Sequence, residues 1–300
     1  MTARLPPIAV PPWALALAAM FSVQLGSALS VDVIHAVGAA GTAWLRLSMG
    51  AIVFLLLARP PLRQVRRHDV PALVGLGVTT GLVTIAFLAA IERIPLGTAV
   101  AIEFVGPLTV AAIRAHSRRA LAWPALGLLG VMLLTEPWHG HLNPAGVGFA
   151  AFAALGWATY IILTQHVGDR FSGLGGLSIT VPIAALTAAT IGIPQAAGHI
   201  TPSILAAAAG LALLLPVLPF ALEMLALRRM TTTAFGTLMA LEPAIGFVLG
   251  LLVLHQTPAA IHIVGIMLVV CAGAAAQRRG LRNPETDQGA DLEPELLTSQ

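Results

Sequence analysis

The sequence predicts an all-α integral membrane protein with ten transmembrane helices in two inverted five-helix repeats. Three observations support this fold class. Of the 300 residues, 57% are hydrophobic and only 10% are charged, whereas a soluble domain carries about 25% charged residues. The apolar residues extend over the whole chain, which indicates many membrane spans. A sequence pattern also recurs after 136 residues, so that Arg93 matches Arg229 and Pro107 matches Pro243.

The spans follow from length and apolar content, because a membrane-spanning helix needs about 20 mostly apolar residues. Ten stretches meet this requirement: 13–31, 38–58, 70–91, 96–113, 120–136, 145–165, 174–193, 203–225, 233–254 and 258–276. They divide the chain into a cytoplasmic N-terminus (1–12), a first repeat (13–136), a periplasmic linker (137–144), a second repeat (145–276) and a tail (277–300). The tail is polar, acidic and contains proline, so we expect it to be disordered and cytoplasmic.

Orientation follows from the arginines, since all sixteen basic residues are arginine. With the N-terminus inside, fourteen of them fall in inner loops or at the inner ends, Arg93 lies outside and Arg46 lies within a span. Cytoplasmic loops of membrane proteins carry such an excess. The distribution predicts a multi-pass protein of the bacterial inner membrane with both termini in the cytoplasm, and it argues against nucleic acid as a partner.

The repeat is clearest in two stretches, ERIPLGTAVAIEFVGP at 92–107 and RRMTTTAFGTLMALEP at 228–243. Each reads as a loop, then an apolar helix with one glutamate, then a proline. Because each half has an odd number of spans, the two halves must lie in opposite orientations. Inverted repeats place a substrate site near the middle of the membrane in transporters. The alternative is a chance similarity among apolar helices.

Four ionisable residues fall inside the predicted spans: Arg46, Glu103, Glu223 and Glu242. Such residues cost roughly 2.5–3.5 kcal/mol each to insert and are functional candidates for that reason. Arg46 would alternatively pair with one glutamate and lock two helices together. Three glutamates still leave excess carboxylate after one pairing, which suits a cation site or a proton carrier.

Prolines accompany these glutamates. Glu103, Gly106 and Pro107 share one helix face, and Pro107 removes the hydrogen bond to the carbonyl of Glu103, so we expect a Gly-Pro break there. Pro243 follows Glu242 directly, and Pro219 lies four residues before Glu223. These helix breaks would expose backbone carbonyls near the carboxylates. The alternative is a set of kinks that only shape packing.

Polar and aromatic residues on the repeat-matched first and sixth spans complete the candidate substrate site. They are Gln24, Trp157 and Tyr160. A buried glutamine or tyrosine needs a hydrogen-bond partner, which is either the ligand or another helix.

We expect no cofactor and no metal site. His139 and His141 lack a third ligand and suit a solvated turn, and the chain has one cysteine. It also lacks a P-loop, a dinucleotide fingerprint and a GxSxG elbow, so an enzyme is not predicted.

The sequence resembles the EamA-type repeats of the drug/metabolite transporter superfamily, and within it the bacterial threonine and homoserine exporters. The resemblance rests on SVQLGSALS, WLRLSMG, IPLGTAVAIEFVGPLTVA, LGWATYIILTQ and LEMLALRRMTTTAFGTLMALEPA, and covers residues 13–277. The family usually ends the ninth helix with a Gly-Glu pair, where this chain has Leu254, His255 and Gln256.

The resemblance implies export of small amino acids by alternating access, with protons moving inward as the coupling partner. A zwitterion would offer its carboxylate to Arg46 and its ammonium to Glu103 or Glu242. A transporter of the same fold for a purine, an aromatic amino acid or a drug is the nearest alternative. An intramembrane enzyme and a membrane scaffold are the others. The remaining expected partner is the lipid bilayer, and the chain would act as a monomer or homodimer.

Overall fold

The structure is a computed structural model that describes residues 10–58, 60, 62–114, 122–136, 142–168, 170–171, 175–227 and 238–279. Within these ranges the secondary structure is helical and contains no strand. The helices are α1 (Pro12–Leu57), α2 (Val70–Ile91), α3 (Leu96–Arg114), α4 (Ala122–Thr135), α5 (Pro144–Gly168), α6 (Leu177–Ala196), α7 (Pro202–Ala212), α8 (Leu218–Leu227), α9 (Glu242–Leu254) and α10 (Ala260–Arg279). A short 3-10 turn spans Leu62–Gln64, and a π-helical turn, Leu213–Val217, joins α7 to α8.

The first helix reverses direction at Gly38, which has φ 76° and ψ 166°. The Nη1 of Arg46 donates to the Oγ of Ser30 over 3.4 Å, although the two residues are 16 apart in sequence. Sixteen residues of straight helix would span about 24 Å. The two arms of α1 are therefore antiparallel, and they correspond to the first two predicted spans.

The turn at Gly38 is completed by a residue from α6. The Oε1 of Gln195 accepts hydrogen bonds from the backbone N–H groups of Ala40 (2.8 Å) and Gly41 (3.1 Å). The first N–H groups of a helix have no partner within the helix itself. Gln195 thus caps the second arm of α1 from a distant part of the chain.

The predicted span 203–225 is interrupted between α7 and α8. Leu215 has extended backbone angles (φ −159°, ψ 113°) and precedes Pro216. The hydroxyl of Ser22 donates to the carbonyl of Leu214 over 2.7 Å, so α1 supplies a donor at the interruption. The break lies at Pro216, whereas Pro219 is the second residue of α8.

The helices pack through small residues. Gly130 of α4 and Gly265 of α10 cross so closely that a Cβ on Gly130 would lie 2.6 Å from the Gly265 carbonyl oxygen. In the α3·α9 pair, Gly97 lies against Phe247 and Gly250 against Leu96, so these helices run antiparallel. Such approaches are typical of helix packing in membranes.

The outer surface of the bundle is apolar. Leu56 is 81% exposed, Ile113 72%, and Leu155 and Leu186 71% each. Exposed apolar area on this scale requires an apolar surrounding. Among the described residues, five helices are long and apolar enough to cross a membrane, and four shorter helices are also apolar. The predicted multi-pass membrane protein is confirmed at this level.

Asp69 begins α2 and is the centre of a charged cluster outside the apolar region. Its Oδ2 accepts the Arg66 N–H at 3.0 Å, and its Oδ1 lies 3.2 Å from the Nε2 of His68 and 3.6 Å from the Nε of Arg170. The backbone hydrogen bond, assisted by these neighbouring charges, holds the pKa of Asp69 below its usual value. The cluster ties the start of α2 to the segment after α5.

Candidate functional site

Two of the predicted site residues are joined directly. The Nε2 of Gln24, on the first arm of α1, donates to the Oε1 of Glu242 at the start of α9 over 3.2 Å. Both side chains are buried. The Oε1 of Gln24 and the Oε2 of Glu242 have no hydrogen-bond partner within the described part of the chain. Each of these two buried oxygens can therefore still accept a hydrogen bond.

Glu103 belongs to the same region. It is buried in α3, and its carboxylate interacts electrostatically with that of Glu242. The helices approach closely here, because a Cβ on Gly246 would lie 3.1 Å from both the Gln24 Oε1 and the Val100 Cγ2. Gly246 follows Glu242 by one turn, and Val100 precedes Glu103 by almost one turn. The two glutamates, one from each of the two repeat-matched stretches, therefore lie on facing helices.

Glu223 and Tyr160 extend this region toward α8 and α5. The Glu223 carboxylate interacts electrostatically with Glu242 and with the Tyr160 hydroxyl. Glu242 is thus within electrostatic range of both Glu103 and Glu223, and these three glutamates are here called the carboxylate cluster. Glu223 was also considered as a partner for Arg228 or Arg229, and both arginines lie outside the described residues.

Trp157, on α5, packs against α3 beside the carboxylate cluster. Its ring packs edge-on against Phe104, with centroids 6.4 Å apart and an interplanar angle of 72°. Phe104 neighbours Glu103 in sequence but is itself buried in apolar contacts. Trp157 therefore contributes to the apolar packing next to the carboxylate cluster.

Arg46 is buried and is separate from the carboxylates. Its Nη1 donates to Ser30, and its Nε has no partner among the residues that the structure describes. No carboxylate among the described residues lies within ion-pair distance of it. The alternative in which Arg46 locks two helices by pairing with a glutamate is therefore not seen. Ser30 lies six residues after Gln24 on α1, which corresponds to about 9 Å along the helix axis.

The proline positions differ from the expected breaks. Pro107 lies inside α3, which continues to Arg114, so the helix does not end at the Gly-Pro pair. Gly106 instead provides a close helix crossing, because a Cβ there would lie 2.1 Å from the Ala154 carbonyl oxygen. Pro243 occupies the first turn of α9, where its missing N–H costs no helical hydrogen bond.

Three predicted features lie wholly or partly outside the described residues. They are the turn with His139 and His141, the N-terminal segment up to residue 9, and the tail from residue 280. No group of three or more potential metal ligands occurs among the residues that the structure describes. The helix α10 continues to Arg279, three residues into the predicted tail.

Sequence reasoning missed two functional neighbours, Ser30 and Gly246. Ser30 is the hydrogen-bond partner of Arg46, and its hydroxyl also donates to the Gly26 carbonyl over 2.6 Å. The sequence did contain a signal for Ser30, because SVQLGSALS places serines within an apolar span. Small hydroxyl residues in such spans often satisfy buried polar groups. Gly246 carries no such signal, because glycines occur throughout the chain.

Comparison with known proteins identifies the family. Residues 144–275 match the EamA-like transporter family model. The chain is 33% identical over 276 residues to the threonine/homoserine exporter RhtA of Salmonella typhimurium (strain LT2), covering 91% of this chain and 93% of that protein. The chain belongs to the EamA-like transporter family. This EamA-like transporter is also 34% identical over 265 residues to RhtA of Escherichia coli (strain K12), covering 87% and 89% of the two chains.

A solved crystal structure gives the same architecture. Its TM-score to this EamA-like transporter is 0.61, with 19% identity, and the alignment covers 88% of this chain and 96% of the other. At that identity the likeness concerns the fold. The predicted family, and a transporter instead of an enzyme, are confirmed by the family match and the relatives together.

Proposed function

We propose that this EamA-like transporter exports small amino acids of the threonine and homoserine type from bacterial cells, in exchange for protons that move inward. The observation that carries the proposal is the buried contact between Gln24 and Glu242, next to Glu103. It offers acceptors to an ammonium group in the middle of an apolar bundle. The names of the relatives, which are exporters of threonine and homoserine, support this substrate class.

The carboxylate cluster gives a simple basis for exchange. Glu103 and Glu242 repel each other when both are ionised, so a proton or a substrate ammonium stabilises the pair. If only one of the two is bound at a time, substrate leaves when a proton arrives from outside. Arg46 contacts Ser30, which lies about one and a half helical turns beyond Gln24 on α1. It would receive the substrate carboxylate as the amino acid moves past.

Alternating access would use two inverted five-helix repeats, 13–136 and 145–276, joined by the linker 137–144. Contacts that correspond under the 136-residue shift support this arrangement. Gly50 lies against Pro216, and next to the matching positions, 186 and 80, Gly81 lies against Ala184 and Thr187. Gly130 and Gly265, whose helices match each other in the repeat, cross directly. A two-fold relation between the halves would produce both features.

Orientation and location follow the charge distribution. Arg63, Arg66 and Arg67 are exposed near the Asp69 cluster, which would lie in the cytoplasm with both chain termini. At the other end, Arg93 is paired with Glu92 and lies 5.3 Å from the Phe149 ring centroid. The protein would occupy the bacterial inner membrane, acting as a monomer or homodimer.

The test is export from cells overloaded with threonine or homoserine. Initial outflow is compared between cells without the protein, with the wild type, with Glu103→Gln and with the matched control Glu92→Gln, whose carboxylate is at the bundle end. We expect the wild type and the control to accelerate outflow, and Glu103→Gln to lose the dependence on external pH.

Three outcomes separate the elements of the proposal. Export with unchanged pH dependence in Glu103→Gln would retain the substrate and remove Glu103 from coupling. Export by the wild type without any dependence on the pH gradient would replace exchange with facilitated diffusion. A correctly inserted wild type that exports neither amino acid would overturn the substrate class and direct the assay to purines, aromatic amino acids and drugs.

A further inference from the structure

A cavity lined by both polar and apolar side chains lies near one end of the bundle. Its volume is about 200 Å³, and Thr98, Thr135, Glu136, Phe247, Gln256 and His262 contribute to its lining. We call it the end vestibule. It is bounded by the start of α3, the ends of α4 and α9, and the start of α10. Thr98 precedes Glu103 by five residues and Phe247 follows Glu242 by five, so the end vestibule lies about 7–8 Å beyond the carboxylate cluster along the same helix pair.

Thr98 places a hydroxyl at this cavity. Its side chain is 5% exposed and lines the cavity, and it forms no hydrogen bond within the described part of the chain. Threonines further along their helices, such as Thr80, Thr84 and Thr109, donate to the carbonyl four residues earlier. Thr98 lies in the first turn of α3, so its hydroxyl is available to a ligand or to water.

His262 and Glu136 add an oriented donor and a charged acceptor. The Nδ1 of His262 accepts the Ala259 N–H at 3.2 Å, so this hydrogen-bond network assigns the ring proton to Nε2. That nitrogen lies 3.3 Å from the Oε1 of Glu136. The end vestibule therefore presents donors from Thr98 and His262 next to a carboxylate.

Gln256 fixes the shape of this cavity. Its side-chain Oε1 accepts a hydrogen bond from the backbone N–H of Leu96 at 3.1 Å, and its backbone N–H donates to the Gly250 carbonyl at 3.0 Å. These bonds join the end of α9 to the start of α3. The lining groups are thus held on helix ends that are tied together.

We propose that the end vestibule is a second binding site for the transported amino acid, which it occupies between the carboxylate cluster and the external solution. The substrate ammonium would approach Glu136 and displace the His262 Nε2 from it, and the substrate carboxylate would then accept hydrogen bonds from the Thr98 hydroxyl and the released Nε2–H. A ligand with a cationic donor and an anionic acceptor matches this arrangement. This inference rests on the proposed function.

Size narrows the ligand further. Pockets for drug-sized ligands measure roughly 300–1,000 Å³, and this cavity is smaller. Phe247 and Gln256 limit it on the α9 side. Small zwitterions fit this volume, whereas drug-sized ligands exceed it.

The experiment measures how external amino acid affects export. Cells containing the full-length protein are loaded with labelled threonine, and initial outflow is followed while unlabelled external threonine is titrated. Thr98→Val removes the hydroxyl with little change in shape, and Thr98→Ser retains it. Thr109→Val is the matched control, because Thr109 lies on the same helix with its hydroxyl bonded to Val105.

We expect Thr98→Val to raise the half-effective external concentration several-fold to about tenfold, as the loss of one hydrogen bond does. The internal concentration that half-saturates export should stay unchanged. Thr98→Ser should restore the external value, and Thr109→Val should match the wild type. Equal half-effective external threonine concentrations in Thr98→Val and the wild type would overturn the proposal, while the proposed export function would stand. Failure of the wild type to export threonine would overturn both.

Analogues check the ligand class in the same assay. Threoninol lacks the carboxylate, and N-acetylthreonine lacks the ammonium. External threonine should alter outflow at concentrations at least tenfold lower than either analogue. An equal effect of threoninol would reduce the site to an amine site and contradict the proposed role of Thr98 and His262.

Discussion

The amide of Gln24 and the carboxylate of Glu242 are joined by a buried hydrogen bond of 3.2 Å, although the residues are 218 apart in sequence. The contact links the first arm of α1 to the start of α9. Gly246 permits it, because a side chain there would contact the Gln24 Oε1. Because the amide donates to only one carboxylate oxygen, an acceptor remains on each side chain.

Replacing Gln24 tests this contact. Gln24→Leu removes the donor and leaves the Glu242 carboxylate buried without it, and a hydrogen bond to a charged group contributes about 1.5–3 kcal/mol. We expect export to fall at least tenfold, with protein levels in the membrane retained. The exposed Gln64 supplies the control Gln64→Leu. Equal export by Gln24→Leu and wild type would exclude the contact from the transport cycle.

Substrate binding should weaken when the planar guanidinium group of Arg46 is replaced by an ammonium group. Arg46→Lys retains the charge but removes the guanidinium geometry that suits a carboxylate. The internal threonine concentration for half-maximal export should rise about tenfold. The exposed Arg63 provides the control Arg63→Lys, which should behave as the wild type. An unchanged half-saturating concentration in Arg46→Lys would mean that Arg46 serves only the contact with Ser30.

Gly106 should be intolerant of any side chain. In Gly106→Ala the new Cβ would meet the Ala154 carbonyl oxygen at 2.1 Å, so α3 and α5 must move apart. Overpacking of this kind costs about 1–3 kcal/mol. The matched control is Gly148→Ala on α5, where a Cβ would meet nothing within 4 Å. Thermal unfolding of the purified protein in detergent should show a lower Tm for Gly106→Ala alone.

Asp69 should make stability depend on pH. Its pKa in the folded protein is lowered from 3.8, so folding favours the ionised form. This contribution is fully present above the ordinary pKa and disappears as the pH falls through the lower folded value. Asp69→Asn should therefore lower the Tm at pH 7.

The difference in Tm between Asp69→Asn and the wild type should begin to shrink below about pH 4 and should disappear once the pH falls below the folded pKa of Asp69, where both side chains are uncharged. The exposed Asp32 gives the control Asp32→Asn, which should leave the Tm at its wild-type value. A Tm difference that stays constant down to pH 3 would mean that the Asp69 charge does not stabilise the fold.

The sequence was sufficient to predict that Arg46, Glu103 and Glu242 are buried, but it did not indicate the burial of Asp69. Glu103 and Glu242 are isolated in apolar runs, and the 136-residue shift already matched their helices. Arg46 likewise had to be buried because of its apolar flanks. Its hydrogen bond to Ser30 depends on how the arms of α1 fold back, which no local pattern reports.

Local rules were less informative about interruptions. A proline normally ends or kinks a helix, yet α3 continues through Pro107 to Arg114. The reversal in α1 at Gly38 directly follows the connection between the first two predicted spans, whereas the interruption at Pro216 falls inside the predicted span 203–225. Trp157 was matched with the first span through the repeat. Matching positions meet only where their helices cross, as Gly130 and Gly265 do.

The bond from Gln195 to the turn at Gly38 has a consequence for biosynthesis. The acceptor for the Ala40 N–H is 155 residues further along the chain. At about 5–20 residues per second, a ribosome needs roughly 8–30 s to supply it. Until then the nascent hairpin holds two donors that only interfacial water or headgroups would satisfy. A fragment that ends before α6 would carry this defect permanently, so the N-terminal half depends on the C-terminal half to mature.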